Sequence, residues 1–331
     1  MTSIKTIVKV ALSLGLTAFF LWSAFRTVDI AHVIQILREA DLTWLLASPV
    51  MIILSCYPRA RRWKILMEPV LPGTSVRKIF MAIVIGYAGN NLVPRAGEIA
   101  RIWAIERDPQ KLSGLAATVA VERLLDLITM MIVFGLMTFA LRGRLSEAFP
   151  QFEGVATPAT IVIALAVVLV LVASIYGNLM LDALGRRFPK FSQSRIMGLL
   201  RSFLQGMEAV RMPGSYFGIF LWTFLLNFIY VLSVYLPFFA FGFDERFNLG
   251  LIDALTVLTI ATIGIIIPTP GGAGTYHYFC SLALNSLYAI PLEEAVAFAT
   301  VVHALVYLSF LFVGGPGLMS LLWNRRQPQA S

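Results

Sequence analysis

The sequence predicts an all-α integral membrane protein: six full transmembrane helices plus two re-entrant hairpins in an inverted repeat. Three observations predict it. The chain is 58% hydrophobic and only 13% charged over 331 residues, about half the charge of a soluble domain. Its apolar segments repeatedly reach the roughly 20 residues that a helix needs to cross the hydrocarbon core. Two shorter apolar stretches end in Pro/Gly-rich polar breaks, and they recur at matching places in the two halves.

The elements follow in order. The first span, 6–25, comes directly after Met1 to Lys5. Ala24-Phe25-Arg26 does not suit a small-residue cleavage site, so a retained helix is expected and not a signal peptide. An amphipathic connection over 26–41 leads to the second span, 42–58, with Arg59 to Lys78 as a basic cytoplasmic segment. The short stretch 79–93 ends in the first break, a helix over 97–107 returns, and 115–141 crosses. The second half repeats this order as 157–177, 178–211, 216–241, 250–267, 274–289 and 295–322. Three crossings per half is an odd number. The second half (about 155–325) is therefore expected upside down relative to the first (about 5–150), within one membrane domain covering 1–331. Segment 178–211 alternates Met180, Leu184, Phe188 and Leu199 with Arg186, Arg187 and Lys190, the pattern of a helix lying on the cytoplasmic interface.

The formal charge of +8 invites a nucleic-acid reading, but its distribution gives another. With six crossings, 18 of the 26 Lys and Arg fall on the side of both termini and five on the other. That asymmetry predicts a multi-pass protein of the cell (inner) membrane with both termini cytoplasmic, and no nucleic-acid partner. Cys56 and Cys280 lie in apolar segments, which leaves no disulfide framework and no metal-ligand spacing. No metal and no cofactor are expected.

The candidate site gathers where polar residues interrupt apolar ones. The first break runs from Gly86 to Glu98 and holds Asn90, Asn91, Pro94, Arg95 and Glu98, with Arg101 following. Pro94 cannot continue a helix. A stretch this short before such a break suits a re-entrant hairpin that returns through Glu98–Arg107. Glu98 and Arg101 share a helix face and can pair. Glu122, Arg123 and Asp126 stand inside the next span, where ionisable groups are costly and by default paired and functional. A purely structural ion-pair network is the alternative for this cluster.

The second break is Pro268-Thr269-Pro270-Gly271-Gly272-Ala273-Gly274. Free backbone amides after Pro270 and a helix N-terminus would make a ready anion site. A nucleotide P-loop is excluded, because no Lys follows the glycines. His277 opens the returning helix and His303 lies in the last span; together they could shuttle protons. Tyr276, Tyr278, Tyr288, Tyr307, Trp222 and Trp323 read as interfacial anchors without chemistry.

These residues carry a resemblance over roughly 5–325. Arg61-Arg62-Trp63-Lys64, Gly86 with Asn90, Pro94-x-x-Gly97-Glu98 with Arg101, Glu122-Arg123-x-x-Asp126 and Pro270-Gly271-Gly272-x-Gly274 resemble the flippase-like, lysylphosphatidylglycerol-synthase transmembrane-region family of prokaryotic membrane proteins. The resemblance implies a membrane domain associated with moving lipids or lipid-linked head groups between leaflets. The chain departs from it at His277, where many members carry Glu, and at His303, where many carry Arg. No aminoacyl-transferase domain is expected from residues 1–331, so the resemblance does not imply aminoacyl-lipid synthesis. The expected function is translocation of a phospholipid or polyprenyl-phosphate-linked lipid whose anionic head group binds both motifs. The expected site residues are Asn90, Asn91, Arg95, Glu98, Arg101, Glu122, Arg123, Asp126, Pro270, Gly271, Gly272, Gly274, His277 and His303. Two other readings stand beside it: an intramembrane enzyme modifying a lipid head group, with His277 or Glu98 as acid/base, and a non-catalytic membrane scaffold.

Overall fold

Every regular element among the described residues is helical. The structure, a computed structural model, describes residues 4–140, 143, 156–188, 197 and 215–323. The helices are α1 (Ile4–Phe25), α2 (Ile30–Glu39), α3 (Leu42–Met67), α4 (Val76–Leu92), α5 (Ala96–Ile105) and α6 (Pro109–Ala140). They continue as α7 (Ala156–Arg187), α8 (Ser215–Ala240), α9 (Phe243–Arg246), α10 (Leu251–Ile266), α11 (Thr275–Tyr288) and α12 (Leu292–Trp323). One 3₁₀ turn, Pro270–Gly272, joins α10 to α11.

Three of these, α3, α8 and α12, are long and apolar enough to cross a membrane; α1 and α2 make a fourth if their bent pair is one span. The bend between them is 81°. α1 ends at Phe25, and after a short turn Asp29 caps the start of α2, its Oδ1 accepting the Ala31 amide at 2.9 Å. The outward faces fit a hydrocarbon solvent: Phe217, Phe220 and Phe224 line one side of α8 and are largely exposed. The expected interfacial helix over 178–211 resolves only in part. Residues 178–187 continue α7, and the rest of that segment, Phe188 and Met197 apart, lies outside the described residues.

Two compact units draw on interleaved stretches of chain. The first takes Met1–Pro58, Phe80–Ala104 and Phe224–Ser331, and the second takes Arg59–Ile79 and Ile105–Thr223. In the first, Phe238, Phe243 and Phe298 are fully buried together, with ring centroids 5.4–6.2 Å apart. Arg246 closes this end with a bidentate pair to Glu294, at 2.7 and 2.8 Å. Glycines set the closest crossings. A Cβ at Gly314 of α12 would collide with the Val84 carbonyl of α4, and one at Gly264 of α10 would sit 2.8 Å from the Thr275 carbonyl.

The second unit corrects one expectation. The span expected to end at residue 58 continues as helix to Met67, so Arg59 and Arg62, expected in the basic cytoplasmic segment that follows it, belong to α3. Both are buried, as is Trp63, whose indole N–H donates to Thr118 Oγ1 at 3.0 Å. Pro58 removes one backbone bond inside the helix without ending it, as proline does in membrane helices packed on their neighbours.

Candidate functional site

The first break is a tight helical hairpin. α4 ends at Leu92, Arg95 turns the chain with φ +64°, and α5 starts at Ala96. Asn90 Oδ1 accepts the Gly97 amide at 2.8 Å and so caps α5 from the preceding helix. The two helices touch backbone to backbone. A Cβ on Gly97 would overlap the Gly86 carbonyl, and the Arg101 side chain lies directly against Gly86. Arg95 is exposed at the tip, Glu98 is half-buried and Arg101 is buried.

The second break is held by bonds to itself and to α1. Ser13 Oγ donates to the Pro268 carbonyl at 2.7 Å. The Thr269 and Thr275 hydroxyls share a bond of 3.2 Å, and Thr275 Oγ1 donates to the Gly272 carbonyl at 3.1 Å. The amides expected to be free for an anion are largely engaged. Gly272 N–H donates to Thr269 O, Ala273 N–H to Pro270 O, and Gly274 N–H to His277 Nδ1 at 3.3 Å. A tight turn closes hydrogen bonds onto its own carbonyls, and spacing alone did not reveal that.

The two breaks meet within the first unit. Asn91 Nδ2 donates to the Tyr307 carbonyl at 2.9 Å, and Tyr307 Oη donates back to the Asn91 carbonyl at 2.9 Å. Gly271, at φ +58°, lies under both: a Cβ there would come within 2.7 Å of the Tyr307 ring and 3.1 Å of Asn91 Oδ1. One turn along α12, His303 Nε2 donates to the Gly271 carbonyl at 2.9 Å. His303 packs edge to face on His277 at 4.9 Å and stacks on Tyr276 at 5.2 Å. Asn90, Asn91, Pro270, Gly271, Gly272, Gly274, His277 and His303 thus form one connected polar core, with Arg95, Glu98 and Arg101 on its hairpin.

Glu122, Arg123 and Asp126 belong to the second unit. Their principal partners come from α3. Arg59 pairs with Glu122 and, at 3.1 Å, with Asp126. Arg62 pairs with Asp126 and lies 3.6 Å from Glu122. It also donates to Thr223 Oγ1 at 3.2 Å. Arg123, half-exposed, adds a 3.6 Å contact to Asp126. Two carboxylates facing two guanidiniums neutralise one another in a buried site, which bracing requires.

Four residues were missed by sequence reasoning. Arg59 and Arg62 read from the sequence as charges of the basic cytoplasmic segment, although their three-residue spacing puts them on one helix face opposite a carboxylate pair of spacing four. Tyr307 and Tyr276 were read as interfacial anchors. The available signal was that Tyr307 stands four residues after His303 in an apolar span, on the same face.

Residues 7–314 match the family described as the lysylphosphatidylglycerol synthase TM region. The chain belongs to this family. Among similar proteins, a UPF0104 membrane protein of Pyrococcus horikoshii is 24% identical over 312 residues, covering 88% of this chain and 90% of the relative. A UPF0104 membrane protein of Methanothermobacter thermautotrophicus is 27% identical over 312 residues, covering 86% of each. No solved structure matches the chain. Membership of this family fits the apolar helices, and the protein is a membrane protein.

Proposed function

We propose that this protein translocates a phospholipid or polyprenyl-phosphate-linked lipid by engaging its anionic head group at the two helix breaks. The observation that carries the reading is their meeting at Asn91, Tyr307 and Gly271. Paired discontinuous helices are where membrane transporters bind substrates, and irregular backbone at membrane depth belongs in protein or against a hydrated cavity. The family's description, which concerns a lipid-modifying synthase's membrane region, supports a lipid as cargo. In this reading Arg95, exposed at the hairpin tip, is the first cation to meet the head group, and Arg101 follows. The Arg59–Arg62–Glu122–Asp126 cluster braces the second unit. The chain crosses the cell (inner) membrane six times as an inverted repeat with both termini cytoplasmic, so its two hairpins enter from opposite faces.

The test is reconstitution of the full chain into vesicles with a fluorescent phospholipid or a fluorescent polyprenyl phosphate in one leaflet. Protein-dependent exchange that falls at least about tenfold in Arg95→Ala, about 1.4 kcal/mol on the barrier, is the expected result. Exchange equal to that of protein-free vesicles for both lipids sinks the proposal.

A further inference from the structure

The proton positions on the two imidazoles are fixed by partners that can play only one role. A backbone amide only donates, so the Gly274 N–H makes His277 Nδ1 an acceptor and leaves that ring's proton on Nε2. A carbonyl only accepts, so His303, bonded to Gly271 O through Nε2, carries its proton there. The next proton on either ring must therefore go to Nδ1. On His303 it leaves the Gly271 bond in place. On His277 it removes the acceptor that caps α11 and sets one N–H against another. Gly274 stands at φ +83°, where a Cβ would lie 2.7 Å from the Thr17 carbonyl of α1. Its backbone thus sits tightly against α1, and its amide has the His277 ring as acceptor.

The titratable groups facing the pair are Tyr276 and its hydrogen-bond partner Cys280 on α11, and Tyr307 on α12. α1 presents Phe25 to His277, and α10 approaches α11 through Gly264. With ring centroids 4.9 Å apart, two cationic imidazoles repel, so the pair takes one added proton at a time.

We propose that His277 and His303 form a one-proton binding site in which protonation of His277 Nδ1 uncaps α11 and releases the Pro270–Gly274 turn. A proton is then the coupling ion of the transport cycle. That coupling rests on the translocator reading, whereas the uncapping does not.

Hydrogen exchange read by mass spectrometry on the full chain tests it, following the peptide over residues 271–278 between about pH 3 and 8, a range wide enough for an imidazole that burial keeps neutral. After correction for the intrinsic rate, exchange in the wild type is expected to rise by up to about tenfold per unit fall in pH, the limit for one linked proton. His277→Gln offers an amide oxygen to the Gly274 N–H but takes no proton, so its profile is expected to stay flat. His303→Gln still donates to the Gly271 carbonyl and leaves His277 to titrate, so the rise persists. A flat wild-type profile overturns the proposal, as does an equal rise in wild type and His277→Gln. If His277→Gln does not fold, wild type and His303→Gln decide, and a flat profile in either overturns it. Lipid exchange measured on the same protein separates the two claims. An exchange-silent protein with a pH-dependent turn keeps the proton site and loses the translocator. Lipid exchange beside a pH-independent turn does the reverse.

Discussion

At Gly97 one absent carbon lets two helices meet. A Cβ there overlaps the Gly86 carbonyl, and neither backbone can yield without opening the hairpin. Gly97→Ala is therefore expected to destabilise by about 1–3 kcal/mol, the usual cost of overpacking, read as a lowered Tm in detergent. Gly15→Ala is the control: it is exposed in α1 with nothing within 4 Å of a new Cβ, and it should hold or raise the Tm. At Glu122 the issue is charge. It is fully buried between Arg59 and Arg62, so Glu122→Ala takes one of the two carboxylates away from these buried guanidiniums. A loss of about 3–5 kcal/mol is expected, as for other broken buried pairs. Recovery of stability in Arg59→Met/Glu122→Leu would show that the cluster braces, and lipid exchange retained in the same variant would show that it is not needed as a ligand.

Between elements, the link that matters for the site joins the end of α4 to the middle of α12. Tyr307→Phe removes the hydroxyl that donates to the Asn91 carbonyl, and Asn91→Ala removes the amide that donates to the Tyr307 carbonyl. Each is expected to cost about 0.5–1.5 kcal/mol. Because the bonds are reciprocal, a double-mutant cycle should return a coupling above about 0.5 kcal/mol; additive losses would mean that the two breaks do not act together. At the α5–α6 junction, the Glu106 carboxylate accepts the Arg107 amide at 2.8 Å and the Asp108 amide at 3.3 Å. Those bonds hold its pKa below the usual glutamate value of 4.5. A lowered folded-state pKa contributes stability that is present above the unfolded value and lost as pH falls through the folded one. The acid-side fall in Tm, below about pH 4.5, should therefore be shallower in Glu106→Gln than in wild type.

For the molecule as a whole, the proposed orientation in the membrane rests on charge and on the proposed six crossings, and cysteine labelling tests it. The two native cysteines are buried, so background is low. Arg38→Cys on α2 should react with an impermeant maleimide in intact cells, and Lys78→Cys before α4 only after lysis. Much of this architecture was legible in the chain. Apolar length set the helices to within a few residues at most ends, because hydrocarbon admits only backbone that bonds to itself. Pro94 and Pro270 marked the breaks because each stands among glycines and polar residues, whereas a lone proline such as Pro58 is carried inside a helix. The second span was misjudged for the same reason that made the others readable: Arg59 to Lys64 looks like solvated loop until a partner is known. The site was legible as a set of residues but not as a set of contacts. By itself, the sequence determined that this is a helical membrane protein with two broken segments, because local composition decides what lipid accepts. Only the tertiary structure decided that Asn91, Tyr307 and Gly271 close one core, that Arg59 and Arg62 answer Glu122 and Asp126, and that the Gly272–Gly274 amides bond internally. Those outcomes depend on which helix lies against which, and neither length nor spacing encodes that.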